Sequence, residues 1–141
     1  MHLDELYKRV IMDHYKSPRN RGTFDDDAVT VELNNPTCGD RISLQLKLKD
    51  GVIEDARFTG EGCSISMASA SMMTAAVKGK TVQEALAIAD DFSALMTGQE
   101  PDFEYEDILA LSGVTKFPAR IKCATLAWNA LKKGVLEHAN H

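Results

Sequence analysis

Apolar and polar side chains alternate strictly in two stretches of the first half of the chain. Every second side chain is apolar in residues 29–33 and again in residues 42–49. This period of two predicts strands with one buried face. Asp50-Gly51, directly after the second stretch, is typical of a two-residue hairpin turn, so we expect a third strand over 52–59. The pattern predicts a three-stranded antiparallel sheet with one apolar face.

The chain shows the 3.6-residue periodicity of helices both before the predicted sheet and after it. Residues 3–14 carry apolar side chains at a 3.6-residue period, and Pro18 ends this helix because proline lacks an amide hydrogen. Thr81 and Glu84 fit a capping box. The further helices are expected from Cys63 to Lys78, from Thr81 towards Gly98, over a short acidic segment from Glu104 to Leu111, and from about Pro118 past Leu131. We expect an α+β fold with the helices packed on one sheet face, formed by residues 1–141 as a single domain.

The composition and the net charge of the chain argue against some classes of function. The net charge is −5 and the basic residues are dispersed, which argues against a nucleic-acid partner. No apolar run approaches about 18 residues, so we expect no membrane span. The start of the chain lacks the apolar segment of a secretory signal, and we therefore expect a cytoplasmic protein. Acidic residues cluster at 25–27 and 100–107, as in a solvated loop or a docking surface for a basic partner.

The three cysteines are the first unusual feature of the chain. An odd number cannot pair completely within one chain, and reducing compartments disfavour disulfides. Cys38 falls in the turn between the first two strands, and Cys123 in the first turns of the last helix. Cys63 falls at a helix start, where exposed backbone amides favour a thiolate. If the helices cover the sheet, these positions can converge on one edge.

Asp40, two residues after Cys38, would complete a set of four ligands. Three thiolates and a carboxylate form a tetrahedral set of the kind that zinc accepts, while sulfur-rich ligation also suits iron–sulfur clusters. Because the spacing contains no C-x-x-C pair, unrelated buried or loop thiols are the alternative. A carboxylate is a harder and less covalent zinc ligand than a fourth thiolate, so such a site can exchange a ligand more readily.

Four segments together resemble the IscU/SufU family. They are residues 6–20, NPTCGD at 35–40, GEGCSIS at 60–66 and RIKCATLAW at 120–128. The segments occur in order along essentially the whole chain. The resemblance implies a SufE/IscU-like α+β fold and a metal site formed by Cys38, Asp40, Cys63 and Cys123.

Two features bear on which function within the family the chain has. Cluster scaffolds of the IscU type have a histidine before the third cysteine and a proline-rich chaperone-recognition segment ahead of it. Here the preceding residue is Lys122, the segment at 117–121 is FPARI, and the spacer after Cys63 is long, as in the SufU branch. The resemblance therefore implies a zinc-dependent sulfurtransferase. An IscU-type scaffold with a transient [2Fe–2S] cluster is the alternative, and a structural zinc module that binds a partner protein is a third.

The resemblance also implies a mechanism. A SufS-type cysteine desulfurase presents a persulfide, and Cys38 leaves the zinc and attacks its outer sulfur. The sulfur then passes to downstream Suf cluster-assembly proteins. Arg120 either steadies a thiolate or persulfide, or is a solvated charge at a helix start. His14 lies on the apolar face of the first helix, and we expect it to be structural rather than a ligand.

Overall fold

The alternating stretches and the segment after them form one antiparallel sheet with the strand order β1-β2-β3. In the computed structural model, β1 spans Val29–Asn35, β2 spans Asp40–Lys49 and β3 spans Val52–Glu61. The model describes residues 3–24, 28–35, 39–98, 108 and 111–139. The sheet is longer than predicted at one end, because Asp40 is the first residue of β2 and pairs with Asn35, the last residue of β1.

The turn between β2 and β3 forms where the sequence predicts it. Asp50 and Gly51 both have positive φ, at 54° and 77°. Positive φ at both central residues is what the hairpin turn that matches the strand twist requires, and glycine adopts it without steric cost. The inward-facing residues of β2, Ile42, Leu44 and Leu46, are fully buried. The predicted alternation therefore marks the core face of the sheet correctly.

The helices pack against that face. They are α1 (Leu3–Lys16), α2 (Ser64–Val77), α3 (Val82–Met96), a 3₁₀ helix (Leu111–Lys116) and α4 (Pro118–Ala139). Contacts of α2 with β3, and of α4 with β1 and β2, place both helices on the sheet. The predicted α+β class, with helices on one face of a three-stranded antiparallel sheet, is confirmed. None of the helices in the described ranges is long and apolar enough to cross a membrane.

Helix α3 begins with the predicted capping box. The backbone N–H of Glu84 donates to Thr81 Oγ1, and the backbone N–H of Thr81 donates to Glu84 Oε1, each at 3.1 Å.

The acidic residues 25–27 and 100–107 lie outside the described residues. Of the predicted acidic helix between Glu104 and Leu111, Ile108 is helical and buried, and Leu111 opens the 3₁₀ helix.

Helix α2 lies at the centre of the helical layer and is buried along most of its length. It contacts α1 on one side and α4 on the other. His14 Nδ1 lies 2.8 Å from Ser71 Oγ, and the Trp128 Nε1–H group donates to Ser69 Oγ at 3.0 Å. His14 is buried at this contact, as expected of a structural histidine. Because polar contacts on both sides fix α2, its first residues have a defined position.

Candidate metal centre

One end of the sheet, the start of α2 and the second turn of α4 meet at a single point. The ligand atoms of Asp40, Cys63 and Cys123 all lie within 4.8 Å of one another. Asp40 and Cys123 are buried, whereas Cys63 is partly exposed. The structure thus brings together three of the four residues predicted to bind metal. The fourth, Cys38, lies outside the described residues.

The two oxygens of the Asp40 carboxylate have different surroundings. Oδ1 accepts a hydrogen bond of 2.9 Å from the backbone N–H of Cys63, which ties β2 to the start of α2. Oδ2 is buried and has no hydrogen-bond partner among the described residues. A buried carboxylate oxygen without a partner is costly, because it has lost its hydration and gained nothing in return. A cation bound at Oδ2 would remove this cost.

Gly62 allows the carboxylate to lie against the backbone at the start of α2. A β-carbon at position 62 would collide with Asp40 Oδ1 and would also lie 2.7 Å from Ser66 Oγ. Both distances are shorter than atoms tolerate without movement. Any side chain at this position would therefore displace Asp40 or Ser66. Close packing of Asp40 against the start of α2 therefore requires glycine at position 62.

The two described thiols differ in their neighbours. Cys123 is fully buried, and the Asn35 side-chain amide donates to its sulfur at 4.0 Å. Cys63 is the N-cap residue of α2, and its sulfur lies 3.8 Å from Ser66 Oγ. Beside Cys63 is an open pocket of about 370 Å³, which is lined by Cys63, Ser64, Ile65, Phe117 and Arg120. Of these two thiols, only Cys63 faces the open pocket.

Arg120, in the first turn of α4, lies next to both sulfurs. A hydrogen bond with Cys123 is the main cause that raises the pKa of the Arg120 guanidinium above its ordinary value, and the charges of Cys63 and Cys123 add to it. The side chain is exposed, so solvent screens these interactions. Both sulfurs therefore lie next to a positive charge.

The donor chemistry of this group suits a zinc ion. Zinc in proteins takes four ligands in a tetrahedron, and sulfurs at about 2.3 Å from the ion lie roughly 3.8 Å apart. Two sulfurs and a carboxylate oxygen within 4.8 Å of one another can reach that arrangement by small side-chain movements. Three donors leave one position of the tetrahedron for a further ligand.

Comparison with known proteins assigns the family. The profile of the NifU-like N terminal domain matches residues 6–141. The chain belongs to this family, whose members include the IscU and SufU proteins. The predicted IscU/SufU membership is therefore confirmed.

Individual relatives cover nearly the full length of this NifU-like chain. It is 62% identical over 135 residues to the zinc-dependent sulfurtransferase SufU of Bacillus subtilis (strain 168), covering 94% of this chain and 91% of that protein. It is 53% identical over 140 residues to the iron–sulfur cluster assembly scaffold protein IscU of Streptococcus pyogenes serotype M1, covering 98% and 87%. Among solved structures, FiSufU from Fervidobacterium islandicum AW-1, described as an iron–sulfur cluster assembly scaffold for the SUF system, superimposes with a TM-score of 0.84 at 32% identity, covering 93% of this chain and 97% of that one.

Sequence reasoning gave no role to four residues that shape the site of this NifU-like protein, although all four stand in the quoted motifs. They are Asn35, Gly62, Ser66 and Phe117. A signal was present for Asn35, because continuing the alternation from Val31 and Leu33 places it on the inward face of β1. For Ser66 and Phe117 no local pattern indicates the neighbour that each one contacts.

Proposed function

We propose that this protein is a zinc-dependent sulfurtransferase of iron–sulfur cluster assembly that accepts persulfide sulfur from a SufS-type cysteine desulfurase. The observation that carries the proposal is the buried Asp40 Oδ2, which has no hydrogen-bond partner among the described residues and lies beside the sulfurs of Cys63 and Cys123. The 62% identity to the B. subtilis SufU protein supports the same function. We infer that residues 1–141 act as one domain in the cytoplasm, where a reducing environment keeps the thiols reduced.

Cys38 is the proposed fourth ligand. Asn35 and Asp40 are register partners, so the connection that contains Cys38 starts and ends beside the site. Successive Cα atoms are about 3.8 Å apart, so the Cα of Cys38 is within about 7.6 Å of the Asp40 Cα. That distance is compatible with a shared ion. Cys38, Asp40, Cys63 and Cys123 then form an S₃O ligand set, which is of the kind that zinc accepts.

Cys38 is also the proposed nucleophile. Zinc, when bound, keeps its cysteine ligands deprotonated at neutral pH. The Cys38 sulfur attacks the outer sulfur of the donor's persulfide, and the new S–S bond forms as the donor's S–S bond breaks. The electron pair of the broken bond leaves on the donor cysteine as a thiolate. No external oxidant or reductant is required, because the transferred sulfur keeps its oxidation state.

The open pocket beside Cys63 gives the side from which the desulfurase would approach. Phe117 is 54% exposed, and with Ile65 it offers apolar surface that a partner segment can cover. The Arg120 guanidinium supplies positive charge for an anionic persulfide. We propose that Arg120 steadies the incoming persulfide there, after which the sulfur on Cys38 passes to downstream Suf cluster-assembly proteins.

An IscU-type scaffold that carries a transient [2Fe–2S] cluster is the second candidate. It is favoured by the 53% identity to the S. pyogenes protein, which is named as such a scaffold. Against it, Lys122 precedes the third cysteine, where IscU-type scaffolds have a histidine. The same donor group would serve either function, since thiolates bind zinc and iron–sulfur clusters alike.

Metal content and sulfur acceptance separate the two candidates. Protein purified without oxygen is analysed for zinc, iron and sulfide, and its visible spectrum is recorded. One zinc per chain with no colour supports the sulfurtransferase, whereas a brown protein with stoichiometric iron and sulfide supports the scaffold. Stimulation of a cysteine desulfurase is then compared for the wild type and Cys38→Ala. If Cys38→Ala stimulates as well as the wild type, Cys38 is not the acceptor, and the zinc centre is a structural module.

A further inference from the structure

The Asn35 side chain is a buried amide that faces the metal centre. It is 8% exposed and stands at the end of β1, opposite Asp40. Its Nδ2 donates to the sulfur of Cys123 at 4.0 Å, across 88 positions of the chain. Buried amide groups in folded proteins nearly always have a partner. Here the partner in the described part of the chain is a proposed metal ligand.

At Cys63, the neighbouring polar group faces the sulfur as an acceptor rather than as a donor. The Ser66 hydroxyl donates its hydrogen to the backbone oxygen of Cys63 at 3.0 Å. That hydroxyl therefore turns its oxygen lone pairs, rather than its hydrogen, towards the Cys63 sulfur. Arg120 interacts with both sulfurs, more strongly with Cys123, but it does so from an exposed position where solvent screens its charge. A buried N–H donor is present at Cys123 and is not recorded at Cys63 among the described contacts.

We propose that Asn35 is a positioning residue that keeps Cys123 as a fixed zinc ligand and out of the sulfur-accepting chemistry. This inference rests on the proposed function. An N–H group that donates to a thiolate fixes the orientation of the sulfur and takes up part of its charge, so the sulfur is a poorer nucleophile. The burial of Cys123 excludes reagents from the same sulfur. The hydrogen bond from Asn35 and the burial of Cys123 together direct incoming sulfur to a different thiol.

The chain offers a matched control in the next residue. Asn34 is the same residue type in the same strand, but it is exposed and pairs with Arg41. Asn35→Leu removes the N–H donor and keeps the number and branching of the side-chain heavy atoms, and Asn34→Leu makes the same change on the opposite face. Asn35→Asp is a second variant that keeps the shape of the side chain and replaces the donor with an acceptor. Circular dichroism of each metal-free protein checks that it folds.

Zinc affinity, measured by competition with a chromophoric chelator, is the first readout. Loss of an outer partner of a metal ligand typically weakens binding about 10–100-fold. We expect a weakening of that order in Asn35→Leu and Asn35→Asp, and a change of less than about twofold in Asn34→Leu. Unchanged zinc affinity in a folded Asn35 variant, or equal weakening in Asn34→Leu, would overturn the inference.

Peptide mapping after limited alkylation of the zinc-loaded protein is the second readout. We expect Cys123 to be labelled faster in the Asn35 variants than in the wild type and Asn34→Leu. Unchanged labelling of Cys123 would contradict the proposed role of Asn35. Both readouts are independent of the desulfurase, so they can fail while sulfur transfer to Cys38 succeeds. Conversely, an active Cys38→Ala variant would remove the proposed function and leave the zinc measurements valid.

Discussion

The backbone N–H of Cys63 donates a 2.9 Å hydrogen bond to Oδ1 of Asp40, while Oδ2 of the same buried carboxylate has no hydrogen-bond partner in the part of the chain that the structure describes. One oxygen therefore ties the sheet to helix α2, and the other is available to a ligand. A carboxylate that was only structural would have both oxygens satisfied. This division of roles makes separate predictions for the metal-free and the zinc-bound protein.

Asp40→Asn is expected to have opposite effects in the two states. The amide oxygen can still accept from Cys63, so the fold is kept, but the buried uncompensated charge is gone. The metal-free variant should be more stable than the metal-free wild type by about 1 kcal/mol or more, because an uncompensated buried charge costs more than a buried neutral amide. Its zinc affinity should fall by more than about tenfold, since a neutral ligand replaces a charged one. Denaturant melts with and without zinc measure both effects.

Asp90→Asn is the control for that experiment. Asp90 is exposed and lies 3.6 Å from Lys132, an ion pair that solvent screens. The free energy of unfolding should change little in either state. A metal-free Asp40→Asn protein that is less stable than the metal-free wild type would contradict the uncompensated charge on Asp40.

Gly62→Ala should damage the metal centre through a steric contact. The added β-carbon collides with Asp40 Oδ1, so the carboxylate must move away from Cys63. We expect zinc affinity to fall by about tenfold or more, in line with the loss of ligand orientation. Gly98→Ala is the control, because its β-carbon meets no atom within 4 Å but its φ of 89° strains alanine. That control should lose about 1–2 kcal/mol of stability and keep its zinc affinity. Equal zinc affinity in both variants would contradict the steric argument.

Glu84 at the start of α3 gives a prediction for acid stability. The backbone N–H of Thr81, followed by its side chain, holds the pKa of Glu84 below its ordinary value of 4.5. The ionised form therefore favours the folded state. This contribution is complete above the unfolded-state pKa and is lost as the pH falls through the lowered folded-state pKa. In Glu84→Gln, that part of the decline in the free energy of unfolding should be missing.

The measurement is a series of denaturant melts from neutral pH down through the range of carboxylate titration. Glu54→Gln, an exposed substitution in β3, serves as the control. The curves of the wild type and Glu84→Gln should approach one another as the pH falls. A constant difference at every pH would show that ionisation of Glu84 does not stabilise the capping box.

Phe117→Ala tests the open pocket as the approach for the desulfurase. Removing the exposed ring should weaken docking by about 1 kcal/mol or more, as for a central contact residue. The concentration of this protein that half-saturates the desulfurase should rise about fivefold, with the maximal rate unchanged. Leu136→Ala is the control, since Leu136 is equally exposed at 53% but does not line the pocket. Equal behaviour of the two variants would contradict the proposed approach, and zinc content should be normal in both.

Local patterns were sufficient to predict the three strands and the four α-helices of the described ranges, but not the 3₁₀ helix Leu111–Lys116. The alternation in residues 42–49 and the Asp50-Gly51 turn each depend on neighbours in sequence, as does the capping box of Thr81 and Glu84. The resemblance of the cysteine motifs predicts that Asp40, Cys63 and Cys123 belong to one group, and the structure places them together. The role of Cys38 is still a prediction, since it lies outside the described residues.

What the sequence could not predict are contacts between distant segments. The alternation in β1 shows that Asn35 faces inward, but not that it reaches Cys123 on α4. The sequence predicts that β2 begins at residue 42, after the turn that contains Cys38. In the structure β2 already begins at Asp40, because Asp40 pairs with Asn35 of β1. The collision that excludes a side chain at Gly62 likewise arises from the packing of α2 against the sheet. Such distances depend on how whole elements pack, and no short segment encodes them.

The central claim is that Cys38 accepts sulfur while the other ligands hold zinc. The most direct measurement is peptide mapping of persulfides after zinc-loaded protein meets a cysteine desulfurase supplied with cysteine, repeated after zinc removal and with Cys38→Ala. We predict one extra sulfur atom on Cys38 of the zinc-loaded wild type, less after zinc removal, and none on Cys38→Ala. Extra sulfur on Cys63 or Cys123 of the zinc-loaded wild type, with Cys38 unmodified, would contradict the claim.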